Sequence, residues 1–230
     1  MEQKVIMKDP KKSDYFYEEA IKTLRANIQF SGKNKKVILF TSCFPNEGKS
    51  DITFSISQEM GKSGKRVLVI DGDIRKSAYT RRYGVAQKVN GLSQYLSGQL
   101  DKMWITYQTN FPNVDIIFAG PAAPNSSELL GDAALEELLK EKRNEYDYIF
   151  IDTPPIGSII DAAVVAQVSD GAVLVIENEA VGYRAAQRAK EQLERSGCAI
   201  LGAVLNKVDM KKSKYYSSYY GRGGGYYQHK

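Results

Sequence analysis

A short apolar run, Val37-Ile38-Leu39-Phe40, is followed after a loop by Gly48-Lys49-Ser50 at the head of an amphipathic stretch. This order constrains the chain more than any other feature. Four consecutive apolar residues read as a strand buried on both faces. The loop, Thr41 to Glu47, then delivers a Gly-Lys-Ser triplet to a helix N-terminus. Strand, loop, triplet and helix form a phosphate cradle. Gly48 lets backbone approach a phosphate, and Lys49 supplies a point charge for the β- and γ-phosphates. The Ser50 hydroxyl is a Mg²⁺ ligand, and the helix end aims free N–H groups at the anion. The first glycine of the usual GxxxxGK[ST] pattern is replaced by Cys43, so the loop is a deviant Walker type.

Two further strands end in carboxylates. Val67–Ile70 leads into Asp71-Gly72-Asp73-Ile74-Arg75, and Tyr148–Ile151 leads into Asp152-Thr153-Pro154-Pro155. Open α/β sheets bind ligands at the carboxyl ends of their strands. The second of these has the form of a Walker B strand, whose aspartate helps hold Mg²⁺ directly or through water. An Asp pair with an arginine two residues later has no ready structural explanation.

The rest alternates in the same way. Asp14 to Phe30 is predicted helical from the spacing of Tyr17, Ile21, Leu24 and Ile28, capped by Ser13 or Asp14 and ended by Gly32. Glu19, Lys22 and Arg25 lie three apart on it, a spacing that a solvated charged face also produces. Helices are further predicted over 50–62, 91–98, about 126–142 and 183–195, and strands over 114–118, 172–176 and 200–205. Asp161 sits at a helix start, where capping explains it. Asn206 ends the last strand, where an adenine contact and a turn role are both open. Strands alternating with helices give a doubly wound, mostly parallel α/β sheet, a P-loop NTPase fold.

Charge separates the tail from the body. Residues 211–230 hold Lys211, Lys212, Lys214, Arg222 and Lys230 and no acid, so they account for the whole net charge of +5. The body is therefore not a broadly basic nucleic-acid binder, and no nucleic-acid partner is expected. The tail is Gly-rich, without apolar periodicity, and is expected to be disordered. Its tyrosines come in pairs, Tyr215-Tyr216, Tyr219-Tyr220 and Tyr226-Tyr227. With no core to fill, they suggest modification sites or aromatic stickers, with base stacking as the rival reading. The expected organisation is a flexible segment over 1–13, in which Lys4–Met7 could dock, a P-loop domain over 14–209 and the tail over 210–230. Cys43 and Cys198 make no disulfide framework, and His229 is the sole histidine, which excludes His-dependent chemistry in the body. No membrane-length apolar run and no signal peptide is visible, so a cytoplasmic location is expected.

Together these pieces resemble the bacterial tyrosine kinases of capsule and exopolysaccharide synthesis. The resemblance spans nearly the whole chain. It includes Glu19-x-x-Lys22-x-x-Arg25, the loop Pro45-Asn46-Glu47-Gly48-Lys49-Ser50, the segment Ile70–Ser77, Pro124–Leu130, Phe150–Pro155 and the tyrosine cluster. It implies ATP and Mg²⁺ as cofactors, with Asp71 as the base that accepts the tyrosine proton. Asp73, Asp152 and Ser50 would serve Mg²⁺, and Lys49 with residues 45–51 and Asn206 would bind nucleotide. It further implies ring assembly through Glu19, Lys22 and Arg25 and autophosphorylation of the six tail tyrosines. A transmembrane co-polymerase-type adaptor would recruit the kinase to the inner face of the membrane, and a cognate tyrosine phosphatase would reverse its action. Lys22 stands where the family usually has Arg, and Asp51 where it has Thr or Ser. A partitioning-type ATPase is the main rival. Its signature lysine early in the loop is absent, since Phe44 occupies that position. A nucleotide-binding adaptor without turnover is the second rival.

Overall fold

The computed structural model describes residues 3–8, 15–32 and 34–209. The proposed caps Ser13 and Asp14 and the six tail tyrosines lie outside them. In chain order the elements are β1 (Gln3–Lys4), α1 (Tyr15–Phe30), β2 (Val37–Ser42), α2 (Lys49–Lys62), β3 (Val67–Asp71) and α3 (Tyr79–Arg82). They continue with α4 (Leu92–Leu96), β4 (Thr106–Gln108), β5 (Val114–Ile117), α5 (Ser126–Leu130) and α6 (Ala133–Glu145). The last are β6 (Tyr148–Asp152), α7 (Asp161–Ala166), β7 (Gly171–Glu177), α8 (Tyr183–Arg195) and β8 (Ile200–Asn206).

The strands form one eight-stranded sheet in the order β1-β4-β5-β3-β6-β2-β7-β8. Every pairing is parallel except β4 with β5. Strand side chains alternate between faces. On β2, Val37 and Leu39 join Leu68, Ile70, Ile149 and Ile151 under α6, α7 and α8. Ile38 and Phe40 face the other way, with Val67 and Phe150 under α1 and α2. Both faces are covered, which is why these strands read as unbroken apolar runs.

This order sets up the site. β6 is inserted between β3 and β2, so Phe40 and Asp71 both lie in register with Asp152. The carboxyl ends of three strands, each followed by a loop of predicted importance, are therefore neighbours.

Three local features depart from the sequence reading. The helix expected from Ser126 or Ser127 to about Lys142 is two helices. Its pattern of leucines hides a break at Gly131-Asp132, where Asp132 accepts a hydrogen bond from Ala134 N at 2.9 Å and starts α6 afresh. The three-residue β4 is too short to show periodicity, and with β1 beside it, it runs opposite to the other six strands. The N-terminal segment takes the docking option left open for Lys4–Met7. Val5 N donates to Gln108 O, and Val5 and Met7 are buried against Tyr79, Tyr83 and Tyr107. Burying such side chains stabilises by about 1.5–3 kcal/mol each.

Candidate active site

The phosphate loop runs from the end of β2 to the start of α2, and its shape needs unusual backbone at two residues. Asn46 has φ 69° and Gly48 has φ 88°. Asparagine tolerates the left-handed region, and glycine enters it freely. Gly48 is required for a second reason: a Cβ there would lie 2.2 Å from Asn206 Nδ2.

The side chain of Glu47, a residue predicted to contact nucleotide, is buried and turned into the protein. One carboxylate oxygen accepts a very short hydrogen bond from Phe44 N, and the other accepts from Glu177 N at 3.0 Å. Burial pushes its carboxyl up, while these backbone donors hold it back. Its carbonyl accepts from Asn206 Nδ2 at 2.7 Å. Lys207 Nζ donates to Asn46 O at 2.8 Å and pairs with Glu177 at 2.7 Å. The loop is thus tied to the ends of β7 and β8, and the amide of Asn206 is already committed to it.

Lys49 and Ser50 open α2. Lys49 Nζ lies 3.5 Å from Asp152 Oδ1 and 3.3 Å from Ser50 Oγ. Tyr83 Oη donates to Ser50 O at 3.2 Å, and Tyr79 Oη lies 3.5 Å from the same carbonyl. Burial raises both phenols, so they stay protonated as donors. Asp51 forms an ion pair with Arg82 at 3.1 Å. That pairing offsets its charge beside the phosphate site.

Asp71 and Asp152 sit side by side at the strand ends, both almost fully buried. Burial pushes the Asp71 carboxyl up to about 8, with the Asp152 and Asp73 charges adding to the effect and the Ser77 hydrogen bond and Lys49 opposing it. Asp152 is raised in the same direction by burial, against the pull of Lys49. Asp152 Oδ1 has no hydrogen-bond partner. A buried carboxylate oxygen without a hydrogen bond is costly; Lys49 at 3.5 Å offsets part of that cost, and a bound cation would offset more. Asp71 Oδ1 accepts from Asp73 N at 3.3 Å, and Asp73 Oδ1 accepts from Lys76 N at 3.0 Å. Asp71 Oδ2 accepts a very short hydrogen bond from Ser77 Oγ.

Two features escaped sequence reasoning. Ser77 lies within the Ile70–Ser77 segment, yet nothing in its residue type assigned it to Asp71. Asp161, read as a helix cap, is fully buried and accepts from Arg75 Nε at 2.9 Å, Arg75 Nη2 at 3.2 Å and Ser126 Oγ at 2.5 Å. It staples the loop after β3 to α5 and α7. The unexplained arginine two residues beyond the Asp pair was the available signal, since an arginine beside a buried loop needs a carboxylate.

On α1, Lys22 pairs with Glu19 at 2.8 Å, while Arg25 reaches across to Glu59 of α2 at 3.2 Å. The three residues proposed for assembly thus divide between an exposed pair and an internal contact.

A family profile described as an AAA domain matches residues 35–195. The tyrosine-protein kinase CpsD of Streptococcus agalactiae is 38% identical over 198 residues, covering 86% of each chain. The chain belongs to the bacterial tyrosine-protein kinases. The kinase domain of the Escherichia coli tyrosine kinase ETK superposes with a TM-score of 0.79 at 29% identity, over 84% of this chain and 76% of that one. The septum site-determining protein MinD of Pyrococcus horikoshii, solved with Mg-ADP, is more distant in shape. Its TM-score is 0.64 at 28% identity, over 78% of this chain and 72% of that one. The kinase thus shares its P-loop nucleotide-binding fold with the switch ATPases, and its sequence and shape stand with the kinases. Among the described residues, no helix is long and apolar enough to cross a membrane.

Proposed function

We propose that this kinase transfers the γ-phosphoryl group of ATP to tyrosines of its own tail, Tyr215, Tyr216, Tyr219, Tyr220, Tyr226 and Tyr227, in the control of capsule or exopolysaccharide synthesis. The observation that carries this reading is the pairing of Asp71 and Asp152 beside Lys49. One buried carboxylate faces the lysine, and the other is held by a serine and raised toward neutrality. A base raised to about 8 takes a phenolic proton with a smaller uphill step than an ordinary carboxylate. The phenol oxygen attacks the γ-phosphorus as the bond to the β–γ bridging oxygen breaks. The proton passes to Asp71, and ADP leaves. Lys49 and the loop amides neutralise charge on the transferring group.

The donor set suits Mg²⁺, which favours a few hard oxygen ligands together with phosphates and water. Ser50, Asp73 and Asp152 would hold it, and the unbonded Asp152 Oδ1 supports this assignment. When bound, Mg²⁺ would supply positive charge that neutralises the nucleotide phosphates. Gly48 and the backbone of residues 45–51 would line the nucleotide, with Asn206 acting chiefly through its hold on the loop.

Three partners complete the reading. Copies of the chain would assemble through α1, using the exposed Glu19–Lys22 pair, with Arg25 exchanging Glu59 for a neighbouring subunit. A transmembrane co-polymerase-type adaptor would activate the kinase and bring it to the membrane. A cognate phosphatase would reset the tail.

Mass spectrometry of the full chain incubated with ATP and Mg²⁺, with an adaptor fragment and beside Lys49→Met, tests the reading. Phosphate on the tail tyrosines, absent in the variant, is expected. ADP release without phosphotyrosine would overturn it in favour of an ATPase switch.

A further inference from the structure

Beside the proposed base lies a second cleft, of about 440 Å³, between the loop after β3 and the loop after β5. Ser77 joins the two sites: its hydroxyl holds Asp71, and the residue lines the cleft. The lining carries Arg75, Lys76 and Lys88 and includes no acid. Arg75 is held by Asp161 through Nε and Nη2, and Nη1 lies 3.4 Å from Pro124 O. Lys76 and Lys88 make no ion pair among the described residues, and both are exposed. The nearby carboxylates that act on Arg75 are Asp161 and Asp73. The lining also carries the apolar side chains of Val85, Val89 and Pro121. Cations and apolar side chains lining one cleft suit a ligand with an anionic head on an aromatic ring.

We propose that this cleft holds a phosphotyrosine of the tail, so that a tail phosphorylated once presents a further tyrosine to Asp71. The inference rests on the kinase reading above. Charge decides when the cleft is filled. The unmodified tail carries five cations and no acid, so Lys76 and Lys88 repel it. Each phosphate adds about −1.5 to −2 charge at neutral pH, which reverses that repulsion locally. The tyrosines suit such a relay, because each of the first two pairs is followed by another a few residues away. The first phosphate then accelerates the next, and phosphorylation of one tail runs toward completion before a second tail is engaged.

The test is a titration of full-length, phosphatase-treated protein with fluorescent peptides spanning 210–230, unmodified or bearing phosphotyrosine at 215 and 216. Inorganic phosphate serves as competitor, and binding is followed by anisotropy without ATP. The phosphopeptide should bind at least tenfold more tightly than the unmodified one, and the Lys76→Glu/Lys88→Glu variant should lose that difference while keeping wild-type nucleotide affinity. Millimolar phosphate that displaced the peptide completely would overturn the assignment to phosphotyrosine in favour of a simple anion site. Equal affinity for both peptides, or full retention of the difference in the variant, would also overturn it. Because binding is read without turnover, a chain that bound the phosphopeptide but never phosphorylated tyrosine would refute the kinase reading and leave the cleft standing.

Discussion

Ser77 Oγ donates to Asp71 Oδ2, so the carboxylate at the end of β3 is oriented by the loop that follows it. Asp71 Oδ1 meanwhile accepts from the backbone of Asp73. Both oxygens of the proposed base are therefore set by its own downstream segment. A shift of that loop moves the base, and the Arg75–Asp161 ion pair is what keeps the loop in place.

Ser77→Ala removes the hydroxyl but leaves the carboxylate. Hydrogen bonds to charged groups contribute about 1.5–3 kcal/mol, so kcat for tail phosphorylation should fall roughly tenfold or more. KM for ATP should hardly move, because Ser77 does not belong to the phosphate loop. Steady-state kinetics separate the two. A change confined to KM would mean that Ser77 does not act through Asp71.

Gly48→Ala places a methyl group 2.2 Å from Asn206 Nδ2 at a residue with φ +88°. The loop must distort or release Asn206. ATP affinity should fall by about two orders of magnitude or more, on the scale of losing a preorganised set of anion donors. The melting temperature should change much less. Isothermal titration with ADP and Mg²⁺ checks this.

Asp161→Ala releases the loop after β3 from both α5 and α7. Removing one partner from a buried pair costs about 3–5 kcal/mol, and the partial exposure of Arg75 brings the expectation to the lower end. Urea unfolding should report that loss. Arg75→Lys, which keeps the charge but not the two-pronged geometry, should recover only part of it.

Asp170 gives a pH signature far from the site. It accepts from Lys36 N, Val37 N and both terminal nitrogens of Arg143, and so ties β2 to α6 and β7. Burial pushes its carboxyl up, but Arg143 and the backbone donors prevail and hold it below the usual range. A carboxyl lowered in the folded state stabilises fully above its unfolded value, near 4, and loses that contribution as pH falls through the folded value. Asp170→Asn should therefore cost about 1–2 kcal/mol at pH 7, after allowance for solvent screening, with the gap to wild type narrowing below pH 4. Urea midpoints across pH 3–7 measure it.

The parts of this fold that read clearly in sequence are those with a strong local cause. Apolar runs such as Val37–Phe40 and Ile149–Ile151 must be buried on two faces, and strands ending in Asp71 and Asp152 declare their chemistry by position. The break at Gly131-Asp132 stayed hidden because leucines continue on both sides of it. The roles of Ser77 and Asp161 stayed hidden for a different reason. Ser77 meets Asp71 only through the fold of the loop after β3, 6 residues on, and Asp161 meets Arg75 only because the sheet order sets β6 beside β3, 86 residues apart in sequence. Glu47 shows the converse: its place in the loop suggested a ligand contact, and its burial made it a brace for that loop.

The clamp of Lys207 on Asn46 has a mechanical consequence. Lys207 directly follows β8, and its ammonium grips the lip of the phosphate loop. Tension on the segment beyond is delivered to that lip before it reaches the sheet. A pull on the chain after β8 would therefore tug on the nucleotide cradle, and its release would relax it. The C-terminal segment and the phosphate loop of one chain share an anchor, so a hold on the first is felt at the second.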